Sequence, residues 1–303
     1  MTDETIRHQV MWDRLITIVE EQAQTLIRTG FSVSTREAGD VSAGVFDLKG
    51  RMLAQAVTGT PGHINSMALS VKHFIDKFPL STMAEGDIYI TNDPWKGTGH
   101  LHDIVVVTPT FKNKKLVALF ACTTHVVDIG GMGMAPDSKQ IYHEGLFIPL
   151  MYFMKAGQLN ETLLDFVHHN CRESKQVEGD IYALANCNDV GSRRLISMMK
   201  QYELNDLDEL AKTIINSTKS AMRMAISKLP TKKVFNQMTM DGYDEEIVLN
   251  ASFEVSGDKV VVDFEGTSTV SDFGINVPKC YTDAYTSFGV KCVIAPDVPN
   301  NAG

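Results

Sequence analysis

The sequence predicts an α+β fold, with mixed β-sheets and a helical subregion, and three observations carry that reading. Apolar residues recur at helical spacing over residues 3–29 and again over 159–228. Between them lie β-branched and apolar runs bounded by Gly, Pro, Asn and Asp, and after Pro230 the pattern is β once more. Three regions follow: an α+β region over 1–158, a helical subregion over 159–228 and a β-rich region over 229–303.

Each element has a local reason. Ile6, Val10, Leu15, Ile18, Val19, Ala23, Leu26 and Ile27 form one stripe of a first helix, which Thr2 or Asp3 caps and Gly30 stops. Residues 41–46 and 51–56 read as short strands joined by a turn at Asp47 to Gly50. Pro61-Gly62 reads as a break, after which Met67, Leu69, Val71, Phe74 and Ile75 predict a helix ending before Pro79. Strands are predicted at 87–91, 104–108 and 116–121, the last two joined by a hairpin turn at Asn113. The irregular stretch 124–148 carries Gly130, Gly131, Gly133 and Pro136, and loops of that length inside a compact domain are usually functional or disordered. Two helical stripes occupy 159–228, and strands with a turn at Ser256 to Asp258 follow.

The 303 residues, 44% hydrophobic and 21% charged, suit two domains or one large one able to bury a core. A formal charge of −9, without a Lys/Arg run, argues against a nucleic-acid partner. No apolar stretch approaches the ~20 residues of a membrane span, and Met1-Thr2-Asp3-Glu4 is unlike a secretory signal, so a cytoplasmic protein is expected. Five widely spaced cysteines without Cys-x-x-Cys indicate neither a disulfide framework nor a cysteine-only zinc site.

The densest polar constellation is His100-Leu-His102-Asp103, followed by His125-Val-Val-Asp128. Imidazole and carboxylate are the ligand set of a hydrolytic Zn, Mn or Fe site. If the two strands beside them pair as a hairpin, both clusters fall at the same end of the sheet. Strand alternation sets His100 and His102 on one face and Asp103 on the other, which leaves open which histidine binds. Asp128 is either a carboxylate behind His125 or a turn residue. Asp40 is a further ligand or a turn residue, and His63 faces a substrate or simply opens a helix near Asn65 and Ser66. The adjacent His168 and His169 read as structural, and Gly130-Gly131-Met-Gly133 as a loop or an anion nest. Arg172 and Asp180 pair or touch a ligand, unless Asp180 caps a helix start. No P-loop and no G-x-S-x-G occur, and Cys122 lies among strand residues that bury it.

Taken together, Asn92-Asp-Pro-Trp-Lys-Gly-Thr-Gly-His-Leu-His-Asp103, His125-Val-Val-Asp-Ile-Gly-Gly131 and Tyr142-His-Glu-Gly-Leu146 resemble the hydantoinase B/oxoprolinase family. Asp40 to Asp47, Arg51 to Gln55, Gly179 to Ala183 and Asp263 to Ser268 add to the resemblance. It implies the N-terminal part of a larger hydantoinase B-like fold and a subunit of an ATP-dependent hydrolase of hydantoins, 5-oxoproline or related lactams. A ketone carboxylase of the acetone or acetophenone type is the alternative, and a non-catalytic assembly subunit is a third. A separate hydantoinase A-like subunit is expected to bind ATP and phosphorylate the substrate carbonyl oxygen, in a hetero-oligomer. The carried-over ligands of a divalent transition metal are His100, Asp103 and His125, with Asp40 a fourth. His102 becomes a residue that supports a ligand or touches substrate, His63 stays a substrate candidate, and Asp128 or Glu144 orients a ligand or acts as general base for a metal-activated water. Family chains are usually longer, so the expectation is either a fragment or a split or processed subunit, for which a separate chain would supply the missing C-terminal part.

Overall fold

A computed structural model describes residues 3–303; Thr2, the alternative cap of the first helix, lies outside the described residues. Helix α1 spans Asp3–Thr29 and is followed by strands β1 (Val41–Phe46) and β2 (Met52–Gln55), then helix α2 (Pro61–Lys77). Strands β3 (Ile88–Thr91), β4 (Asp103–Lys112), β5 (Lys115–His125), β6 (Met151–Lys155) and β7 (Gln158–Leu159) come next. Helices α3 (Glu161–Asn170), α4 (Ser174–Gln201) and α5 (Asp208–Ser227) precede strands β8 (Lys232–Met240), β9 (Ile247–Ser256) and β10 (Lys259–Asp263), and helix α6 (Lys279–Ile294) closes the series.

The α+β expectation is met, with one difference. Every pairing among the described strands is antiparallel, in a seven-stranded sheet of order β2-β1-β5-β4-β3-β6-β7 and a three-stranded one of order β10-β9-β8, where mixed sheets were expected. The large sheet is apolar on both faces. Ala43, Ile104, Val106 and Cys122 point to α1 and α4, whereas Phe46, Val105, Leu119 and Ala121 point to α2. Two-sided burial explains why β4 and β5 read as continuous apolar runs instead of alternating ones. Each fully buried Val or Leu here stabilises the fold by roughly 1.5–3 kcal/mol relative to exposure.

Local chemistry sets the joints. Asp47 accepts from the N–H groups of Lys49 and Arg51, fixing the β1–β2 turn. Asn113 and Lys114 at φ 52° and 65° make the two-residue β4–β5 turn, whose twist matches that of the strands. Pro61 does not break the chain: it stands at the first position of α2, where its missing N–H costs nothing and its fixed φ suits the helix. The helix therefore starts before Met67 and carries His63 in its first turn. Strands β6, β7 and β8 and helix α6 were not anticipated by sequence pattern. In α6 the run Cys280-Tyr-Thr-Asp-Ala-Tyr-Thr-Ser-Phe288 lacks an amphipathic stripe, and only Ala284 is buried.

The three-stranded sheet differs in kind. All nine residues of β8 are exposed, Phe235 and Met238 among them. No helix among the described residues is long and apolar enough to cross a membrane.

Candidate metal centre

Four chain segments meet at one end of the large sheet. Asp103 opens β4 and lies directly opposite His125, the last residue of β5. Asp40 stands just before β1, where its carbonyl accepts from the His125 N–H at 3.1 Å. The first turn of α2 brings His63 to the same place.

Asp103, wholly buried, is the centre of the cluster. Its Oδ2 lies 2.9 Å from His63 Nε2, 3.0 Å from His100 Nε2 and 2.8 Å from Thr98 Oγ1, which donates to it. Its Oδ1 lies 3.1 Å from His125 Nδ1. Burial raises its pKa, but the His63 charge and the hydrogen bonds from His100, His125 and His63 outweigh that and hold the carboxyl well below its usual range. Burial lowers the pKa of His63, and Asp103 and Asp40 together reverse the shift. His100 is likewise raised against its own burial, by Asp103 first and then Glu144.

The three imidazoles of His100, His102 and His125 stand together, with centroids 5.0–5.9 Å apart. The expected split of His100 and His102 from Asp103 does not occur. Residues 95–102 turn instead of extending, with Gly97 N–H bonded to Asp93 O and Asn92 Nδ2 to Leu101 O, so β4 begins only at Asp103. His102 is buried beside the cluster without entering the ligating group, and burial, followed by His125 and His100, pushes its pKa down to about 4.

The donor set suits a cation. His63, His100 and Asp103 each offer one ligand atom, all within 4.8 Å of one another. Three donors converge on Asp103 Oδ2, an oxygen with two lone pairs, an excess that a divalent ion held by these residues would relieve. Tetrahedral zinc ligands at ~2.0–2.1 Å lie roughly 3.3–3.4 Å apart, within a few tenths of an ångström of the two spacings from Asp103 Oδ2 to the histidines, 2.9 and 3.0 Å. Among the described residues, His63 Nδ1 and His100 Nδ1 are buried without hydrogen-bond partners; Asp40 Oδ1, 3.4 Å from His63 Nδ1, is an electrostatic neighbour. Asp40 also accepts from Thr60 Oγ1 at 2.6 Å.

The remaining candidates part ways. Glu144 lies at the site, its Oε2 accepting from Leu101 N–H at 2.9 Å, and it lines a cleft of about 610 Å³ with Trp95, Gly99, Lys139 and Phe273. Asp128 is held by partners other than His125. Its oxygens accept from the N–H groups of Gly130, Arg172 and Glu173 and from the Arg172 guanidinium, which leaves no lone pair free to orient an imidazole or take a proton from water. The glycine turn at 130–133 likewise has internal partners: Gly130 N–H is held by Asp128 and Met132 N–H by His143 O. Asp180 lies within α4 and does not pair with Arg172; its Oδ1 accepts from Phe31 and Ser32 N–H and so holds the chain leaving α1. The sequence pattern does not single out Thr98, and it sets His63 with a substrate without joining it to Asp103, which both residues contact. The 36 residues between His63 and His100 hide that convergence.

The chain is 30% identical to an uncharacterized protein of Methanocaldococcus jannaschii, over 94% of this chain and 51% of that one. It is 28% identical to 5-oxoprolinase 1 of Arabidopsis thaliana (96% of this chain, 25% of that one) and 27% identical to the putative B-type subunit of a D-/L-hydantoinase from Pseudomonas sp. strain NS671 (89% and 48%). It thus spans about half, or for the plant protein a quarter, of these relatives' lengths. Among solved structures, the ATP-dependent caprolactamase of Pseudomonas jessenii superposes with a TM-score of 0.87 at 26% identity, over 99% of this chain and 52% of that one. Nucleotide-free acetone carboxylase shares the fold, with a TM-score of 0.86 at 17% identity over 99% and 42%. The hydantoinase B/oxoprolinase family model matches residues 4–303, and the chain belongs to that family.

Proposed function

We propose that this chain is the metal-bearing part of an ATP-dependent cyclic amide hydrolase acting on a hydantoin, 5-oxoproline or another lactam. The observation that carries this reading is the convergence of His63, His100 and Asp103 at the sheet end, in a chain whose relatives include a 5-oxoprolinase, a putative hydantoinase component and a caprolactamase. His63 Nε2, His100 Nε2 and Asp103 Oδ2 would hold a divalent transition metal. When bound, such an ion lowers the pKa of water toward ~7 and polarises a carbonyl.

The chain's own groups do the rest. Asp103 uses its second oxygen to fix His125, so that imidazole faces the site as a further ligand or as a hydrogen-bonding group. Asp40, 3.4 Å from Nδ1 of His63, is placed to take up that N–H if Nε2 is given to an ion, as carboxylates behind ligating histidines do. Glu144, anchored through one oxygen and lining the cleft, is the proton acceptor of the site. A hydantoinase A-like ATP-binding partner would supply the phosphorylation that turns an unstrained amide into a better electrophile.

The test is ATP-dependent ring opening of 5-oxoproline, hydantoin and caprolactam by the protein co-expressed with its ATP-binding partner, run in parallel with labelled bicarbonate and acetone. Ring-opened product with ATP consumption is expected. Incorporation of the label in place of ring opening would make the chain part of a carboxylase, the reaction class of acetone carboxylase.

A further inference from the structure

Helix α6, from the far end of the chain, roofs the metal centre. It lies along α2, where Asn65 Nδ2 donates to Ser287 Oγ at 2.9 Å, and Cys280 Sγ donates to Pro94 O at 3.2 Å, fixing its start to the loop that leads to His100. These anchors set Tyr281 over two glycines. A Cβ on Gly62 would sit 2.7 Å from both Cε2 and Cζ of the Tyr281 ring, and a Cβ on Gly99 would sit 3.2 Å from its Cγ and Cδ2. Gly62 immediately precedes His63, and Gly99, at φ +109°, immediately precedes His100. The ring is therefore wedged between the two turns that deliver the histidines, with its hydroxyl-bearing end on the His63 side.

Packing alone needs only an apolar ring there, and a phenol brings a hydrogen-bond donor to a buried polar site. A phenol keeps its proton at neutral pH, its ordinary pKa being about 10. Tyr285 packs edge-on against Tyr281, with centroids 5.0 Å apart, and completes the wall.

We propose that Tyr281 is a substrate-contacting residue of this centre, its ring forming the wall over Gly62 and Gly99 and its hydroxyl donating a hydrogen bond to the carbonyl oxygen of a bound amide. This rests on the metal-centre reading above. It assigns the C-terminal region a direct part in recognition of the amide group.

The test uses the whole protein loaded with cobalt(II), whose visible absorption reports coordination, and acetohydroxamate as an amide-like probe. Tyr281→Phe should keep the cobalt stoichiometry and spectrum of the wild type and bind acetohydroxamate roughly tenfold more weakly, the size of one lost hydrogen bond. An unchanged dissociation constant would overturn the proposal. So would loss of cobalt in Tyr281→Phe alone, because the tyrosine would then support the ion and not the ligand. Absence of cobalt from the wild type would instead bring down the metal-centre reading, and this inference with it.

Discussion

Asp103 and Asp128 are both buried carboxylates, on strand β4 and on the loop after β5, and their surroundings divide the labour of this region. Asp128 is saturated by three backbone N–H groups and a guanidinium, a structural clip joining the 128–131 turn to the α3–α4 corner. Asp103 is surrounded by three imidazoles and a hydroxyl, groups that can give up a proton or a lone pair to an ion. Carboxylate burial alone does not mark a site. The partner chemistry does: backbone amides offer only hydrogen bonds, whereas imidazoles offer ligands.

The largest effect expected from this contrast is on metal content. His63→Ala and Asp103→Ala should reduce bound transition metal, measured by elemental analysis, from about one per chain to near zero, whereas Asp128→Asn should leave it unchanged. Metal retained in Asp103→Ala would erase the distinction. The next effect runs the other way: Asp128→Ala should lower stability to urea by about 2–3 kcal/mol, because three N–H groups lose their acceptor.

Asp40 sharpens the comparison from the metal side. Asp40→Asn should weaken metal affinity about tenfold, as loss of a carboxylate behind a ligating histidine does, with little change in the urea midpoint. A smaller effect is one of pH. Burial raises the Asp128 pKa, but hydrogen bonds from Gly130, Glu173 and Arg172 outweigh it, so the folded pKa is depressed. Such a group adds stability that is present above the unfolded carboxylate pKa of about 3.9 and is lost as pH falls through the lower folded value. Wild-type stability should therefore decline more steeply than that of Asp128→Asn below about pH 4; parallel urea-melt curves would contradict the clip role. Least of all, Thr98→Val should cost about 1 kcal/mol by removing one donor to Asp103.

Much of this architecture was legible in the sequence. Gly30 follows α1 where a stop signal should, and the β4–β5 hairpin through Asn113 is readable, which is why residue pattern alone joins His100, Asp103 and His125 at one sheet end. The failures share a cause in long-range contact. Asp128 reads as a partner for His125 because Arg172, 44 residues away, gives no local signal that it claims the carboxylate. The sequence sets His63 apart from Asp103, which it meets at 2.9 Å, because Pro61-Gly62 reads as a break, although Pro at the first helical position starts α2. Tyr281 is invisible: α6 has no amphipathic period, and only the packing of α6 on α2 brings the tyrosine to Gly62 and Gly99.

The most direct test of a metal centre built by α2 and the β4–β5 hairpin is elemental analysis of the purified whole protein beside His63→Ala and Asp128→Asn variants that keep the wild-type circular dichroism spectrum. About one transition metal per chain in the wild type and Asp128→Asn, lost in His63→Ala, is the predicted result. A wild type that stays metal-free after reconstitution, or a His63→Ala variant that holds as much metal as the wild type, would contradict it.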